Sequence, residues 1–232
     1  MAFDIYAGGF ARYFAREWEN VMQKTARERG MPYQMIRPDG DAGPAKWEDV
    51  QEGVQNWRAA IIQGLRDNAP ADLDWDESRN APYFTDRPGW DGYSALVLMA
   101  ACAACEEPLP KKLPAEALAS PVIERVNAPN FQAGYRSITQ VQLWLPGSFN
   151  FGFEFVDLCN QKIFIGSVEN LVKSLDALSQ KGGFTEEEKA TALRDNYDDQ
   201  ANCRTIARFG LAVFQGVARQ ALSHRLPMML SF

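Results

Sequence analysis

Apolar residues recur along this chain with two periods, and the switches between them mark its elements. Residues 3–7 (Phe-Asp-Ile-Tyr-Ala) alternate and stop at Gly8-Gly9, which predicts a short strand followed by a turn. Phe10, Phe14, Trp18, Val21 and Met22 then fall at steps of one helix face, so residues 10–29 read as one helix ending at Gly30. Tyr33 to Ile36 reads as a second strand, closed by Pro38-Asp39-Gly40, and the three elements together as a βαβ unit. After a loop from Asp39 to Ala45, Trp47, Val50, Val54, Trp57, Ile61 and Leu65 mark the clearest amphipathic helix of the first half.

Residues 67–93 carry Pro70, Pro82 and Pro88 and no sustained period, which predicts a long irregular segment. Ser94 to Cys105 is apolar nearly all round and reads as a buried helix. Residues 106–114 form a linker, the one place where a domain boundary is expected. Ser120-Pro121 fits the start of a short helix. The period then changes to two. Val141, Leu143 and Leu145 alternate, as do Phe149, Phe151, Phe153 and Phe155, with Pro146-Gly147 between them. An antiparallel hairpin near 140–156 follows, with Ile163 to Ile165 as a further strand. Ser167 opens a helix that stops at Gly182-Gly183. Thr185 and Glu188 form a capping box, and a long helix runs from about Asp198 to Ser223. The pattern predicts a helix-rich α+β fold, a single domain over residues 1–232 with a small mixed sheet. A division near 106–114 is the alternative. The apolar tail Leu226-Pro227-Met228-Met229-Leu230-Ser231-Phe232 is expected to dock rather than fray, either on its own core or at a subunit interface.

Composition narrows the function classes. Lys and Arg number 24 against 30 Asp and Glu, a net charge of −6, which argues against a general nucleic-acid binder. No apolar run approaches membrane-spanning length, and no basic region precedes an apolar stretch at Met1. A cytoplasmic protein with reduced thiols is the expectation. Cys102 and Cys105 have half the spacing of a zinc site. However, Cys159 and Cys203 supply no second pair, so buried thiols are the simpler reading and neither metal nor cofactor is expected. His224 is the single histidine, at the end of the last helix, and no hydrolase or phosphate-loop motif surrounds it.

Two places carry candidate chemistry. Gly8 and Gly9, with Arg12 one turn on, make a helix start able to hold an anion or nucleotide phosphate. Segment 72–93 has six acids against two arginines, interleaved with aromatic residues. Its candidate ligand-binding residues are Asp74, Trp75, Asp76, Glu77, Tyr83, Asp86, Trp90 and Asp91. Carboxylates beside rings suit a cytosolic, non-catalytic interaction protein of the inhibitor or immunity type, whose partner presents a basic surface. The alternative is a small-ligand hydrolase using two of those carboxylates, which requires a concave pocket where they converge. The last helix carries a basic stripe. Arg204, Arg208 and Arg219 lie within about 60° of one another at 100° per residue. A solvated face or internal pairing with the acidic segment is expected for them, with a contact for an acidic partner or phosphate as the alternative. Oligomeric state is left open by the sequence.

Overall fold

The computed structural model describes residues 3–32, 46–131 and 134–231. Strands β1 (Asp4–Ala7), β2 (Phe84–Asp86), β3 (Leu143–Leu145), β4 (Phe153–Val156), β5 (Lys162–Ser167) and β6 (Met228–Ser231) form one sheet, in the order β2-β1-β6-β3-β5-β4. Only β3 and β5 run parallel. The helices among the described residues are α1 (Phe10–Phe14), α2 (Val21–Glu28), α3 (Trp47–Leu65), α4 (Gly89–Ala104), α5 (Pro121–Asn127), α6 (Arg136–Thr139), α7 (Val168–Gly182), α8 (Glu186–Asp195) and α9 (Cys203–Ser223). The class is α+β, with helices outweighing a mixed sheet.

Side-chain alternation along the strands feeds two cores. Ile5, Ala7, Trp144, Met228 and Leu230 point to one face, under α4, α5, α7 and α9. Leu143, Leu145, Ile163, Ile165, Phe153 and Phe155 point to the other, under α1 and α3. A sheet covered on both faces explains why β1 is buried at every position and why the strand residues are so apolar. Strands from both sides of residues 106–114 join this one sheet, and Cys203 N–H bonds to Lys111 O at 3.0 Å across that stretch.

The apolar tail does more than dock. It becomes β6, paired with β1 on one side and β3 on the other. That insertion corrects the expected hairpin. β3 and β4 are not neighbours; the antiparallel hairpin is β4–β5, closed by the turn at Asp157–Gln161, where Asn160 sits at φ 60°. The outer edge of β4 is blunted where the Trp57 indole N–H donates to Val156 O at 2.7 Å. Of the four alternating phenylalanines, only Phe153 and Phe155 lie in a strand, and Phe151 is exposed.

The single helix expected over 10–29 is two. Arg16 takes φ 62°, the chain leaves helical geometry after Ala15, and α2 restarts with Asn20 as N-cap. Asn20 and Gln23 exchange side-chain to backbone bonds at 2.9 Å in each direction. Trp18 kept the apolar period going because it stacks on Tyr13 (5.3 Å between centroids) and tilts against Tyr6 (5.1 Å), not because it is helical. The expected strand at 33–36 and the loop at 39–45 lie outside the described residues. β1 itself has antiparallel neighbours on both sides, β2 and β6. α4 starts at Gly89, ahead of the Ser94 start expected for it, and has no side-chain cap. α9 begins at Cys203 behind an Asn202 cap rather than near Asp198. α3, α7 with its Ser167 cap and left-handed Gly183 stop, and the Thr185–Glu188 capping box appear as the pattern predicts.

The helix layer is locked where α4 crosses α9. A Cβ on Gly210 would stand 2.1 Å from the Gly92 carbonyl oxygen, so the two backbones are in direct contact. Gly210→Ala is therefore expected to push the helices apart and cost about 2–3 kcal/mol, within the range for overpacking a core. A denaturant titration checks it, and an unchanged midpoint would mean the crossing is looser than described.

The basic stripe of α9 is paired internally, with α7 and α8 rather than with the acidic segment. Arg219 meets Asp176 at 2.9 Å, Arg208 meets Glu188 at 3.6 Å, and Arg204 donates to Gly182 O and lies over the Phe184 ring. The four cysteines are free thiols. Cys102 and Cys203 are buried in the α4–α9 core, where burial pushes the Cys203 thiol up to about 11.

Candidate functional site

The two candidate places of the sequence meet in space. The turn Gly8-Gly9 brings the first N–H groups of α1 to the surface of the segment that follows residue 72. Phe10 N–H donates to Glu77 Oε1 (3.0 Å) and Ala11 N–H to Glu77 Oε2 (2.8 Å). The helix start expected to hold an anion thus holds the chain's own carboxylate, as helix N-termini favour. Gly9 is needed for this approach, since a Cβ there would lie 2.8 Å from Glu77 Oε2. Gly8 leaves room for Tyr6, whose hydroxyl donates to Gly9 O at 2.8 Å.

Other groups fix the same segment. The Trp75 indole N–H donates to Glu77 Oε1. Arg58 of α3 lies over the Trp75 ring, 4.0 Å from its centroid, donates to Trp75 O at 3.0 Å and pairs with Asp74. It also comes to 4.0 Å from Glu77 Oε1. Arg12 does not face outward for a ligand. It donates to the carbonyls of Ala81 (2.8 Å) and Arg79 and lies over the Tyr83 ring. Glu77 is buried, and loss of water outweighs its N–H partners, which moves its carboxyl above the ordinary range.

The eight predicted binding residues separate into three places. Asp74, Trp75, Asp76 and Glu77 line an open cleft of about 660 Å³, opposite Gln51, Gln55 and Arg58 of α3 and beside His224 and Arg225. Within it Asp74 and Asp76 are exposed while Trp75 and Glu77 form the buried floor. Tyr83 and Asp86 line a different groove, of about 600 Å³, between β2 and α2. There burial raises the Asp86 carboxyl, and the neighbouring Asp4 carboxylate adds to the rise. Trp90 is 42% exposed and packs on Phe3 (4.8 Å), and Asp91, in the first turn of α4, faces a third recess with Lys112 and Asp199. Three of the acidic segment's carboxylates do share one concavity, but each already has a task. Glu77 caps α1, Asp74 holds Arg58, and Asp76 accepts from Ser78 N–H (2.8 Å) and Ser78 Oγ (3.1 Å).

Sequence reasoning missed the opposite wall. Gln51, Gln55 and Arg58 sit at i, i+4 and i+7, a polar stripe that was legible beside the apolar stripe of α3. His224 and Arg225 reach the cleft only because β6 returns the chain to the sheet centre, which no local signal announces.

Among the described residues, no three His, Cys, Asp or Glu side chains come together as a metal site, and no helix is long and apolar enough to cross a membrane. Comparison with protein-family models, with curated proteins and with solved structures finds no match.

Proposed function

We propose that the chain is a cytosolic, non-catalytic interaction protein of the inhibitor or immunity type. Its docking surface is the cleft walled by residues 74–78 and α3, and its partner presents a basic surface. One observation carries this reading. The acidic segment is clamped from beneath by Glu77, Trp75, Arg58 and Arg12, so exposed Asp74 and Asp76 are held in place before any partner arrives. A rigid segment loses little freedom on binding, which favours affinity. Glu48 and Glu52 are exposed one turn earlier on the stripe of Gln51 and Gln55, and extend the negative rim. Arg58 is only 17% exposed, so its charge is turned inward. Exposed Arg225 is engaged by Asp72, 3.9 Å from its carboxylate and donating to its carbonyl at 2.6 Å.

The test is Asp74→Asn with Asp76→Asn. Both side chains are at the surface, so stability should shift by less than about 1 kcal/mol. Capture of a basic partner from the source cells, followed by native mass spectrometry, should fall at least tenfold and should weaken with added salt. Undiminished capture by the double variant would end the proposal.

A hydrolase reading keeps one observation in its favour, that Asp74, Asp76, Glu77 and His224 line the same cleft. It predicts a turnover that Asp76→Asn and His224→Gln both abolish. A turnover that survives both variants would exclude this cleft as its site. The anion-binding reading requires an external anion to displace Glu77 from α1.

A further inference from the structure

We infer that a second, smaller cavity, on the α1–α3 face of the sheet, is a binding site for a small carboxylate with an apolar body. The cavity measures about 140 Å³ and is separate from the acidic cleft. Phe10, Phe14 and Trp57 form its roof, and Leu143, Ile163 and Met229 its floor. That volume and lining suit one phenyl ring or a short branched chain, because apolar cavities near 150 Å³ stay dry and accept ligands of benzene size.

The head group follows from what stands at the rim. Asp157, Gln161, Lys162 and Gln142 border the cavity where the β4–β5 turn passes β3. Asp157 is committed to the turn, its Oδ1 accepting from Cys159 N–H (2.8 Å) and Gln161 N–H (2.7 Å). Gln142 Oε1 accepts from Phe164 N–H at 3.3 Å, which leaves its NH2 for a ligand acceptor. Lys162 is exposed and forms no ion pair among the described residues. Among the described residues only Oδ1 of Asp157 is engaged, and its charge at the rim is offset by the two turn N–H groups and the unpaired Lys162 ammonium. With the free Gln142 amide donor, the rim therefore favours a carboxylate over a neutral head. The ligand would touch Met229 of β6, so binding stabilises the strand at the sheet centre and raises the melting temperature.

Phenylacetate and toluene are the probes, with the full chain. Phenylacetate should raise the melting temperature and shift the methyl resonances of Leu143, Ile163 and Met229. Toluene, lacking the head, should shift the same methyls but bind more weakly. Lys162→Gln should weaken phenylacetate by roughly three- to tenfold, the scale of a partly exposed ion pair with one added hydrogen bond, and leave toluene unchanged. Leu158→Phe, which fills the chamber from the turn, should abolish both. Toluene binding as tightly as phenylacetate, or Lys162→Gln without effect, would overturn the carboxylate assignment. Absence of methyl shifts in the unaltered protein would overturn the site itself, whether or not the Leu158 variant folds.

Discussion

Removal of residues 227–232 leaves a chain with no cooperative unfolding transition. β6 is not an edge that can be peeled away, because β1 pairs with it through Asp4–Ala7 and β3 through Leu143 and Trp144. Met228 and Leu230 are buried in the larger core. Burying two such side chains contributes about 1.5–3 kcal/mol each, and the ladder bonds on both sides add about 0.5–1.5 kcal/mol apiece. The sum exceeds about 5 kcal/mol, which is the low end of the total stability of a domain. Without β6 the sheet divides into β2-β1 and β3-β5-β4. The expected result is loss of the near-ultraviolet circular dichroism signal and a featureless thermal scan. A truncated chain that melts cooperatively within a few degrees of the full one would refute the central placing of β6.

The second large effect is at Glu77. In Glu77→Ala, the N–H groups of Phe10 and Ala11 and the Trp75 indole N–H lose their shared acceptor. Each buried donor left unpaired costs about 1–3 kcal/mol, so the loss is about 3 kcal/mol or more. It should far exceed the effect of neutralising exposed Asp74 and Asp76, although all three lie within four residues. The pH dependence carries a sign. Burial raises the folded carboxyl of Glu77 above its unfolded value, so between those two values the folded state binds more protons. Stability from this group therefore falls as pH rises through that window and is greatest at its acid end. In denaturant titrations from pH 7 down to pH 4.5, the stability gap between the unaltered protein and Glu77→Ala should widen toward acid, because other shifted carboxyls such as Asp86 act equally in both. A variant as stable as the unaltered protein at every pH would mean that Glu77 does not cap α1.

What was legible in the sequence was local. α3 was readable because its apolar residues repeat within a turn or two, although it has no side-chain cap and ends on Arg66. α7 adds to that repeat a Ser167 cap and a Gly183 stop. The break between α1 and α2 was also written locally, in the Asn20-x-x-Gln23 box, but the ring of Trp18 disguised it by continuing the apolar period. The partner of β3 was not legible at all. Leu143 and Leu145 alternate equally well beside β4 or beside β6, and only pairing across the whole chain decides between them. The candidate site divides in the same way. A helix start at Gly9 and an acid at Glu77 were both visible as chemistry, but nothing local says that one satisfies the other across the gap. The consequence is a changed role for Glu77, from offered ligand contact to internal cap, while Asp74 and Asp76 keep the exposure that recognition needs.

The placing of β6 also sets how this protein reaches its native state. Ala7 faces Met228, so the first strand finds one of its two neighbours only at the far end of the chain. Contacts of such sequence separation close large loops before they return any favourable energy, which makes for slow folding. Until that closure, β1 and β3 each present a bare edge toward the slot that β6 fills. A nascent or heat-stressed chain in that condition offers any second copy the slot meant for its own β6, and exchange of this strand between copies is the misassembly the topology invites.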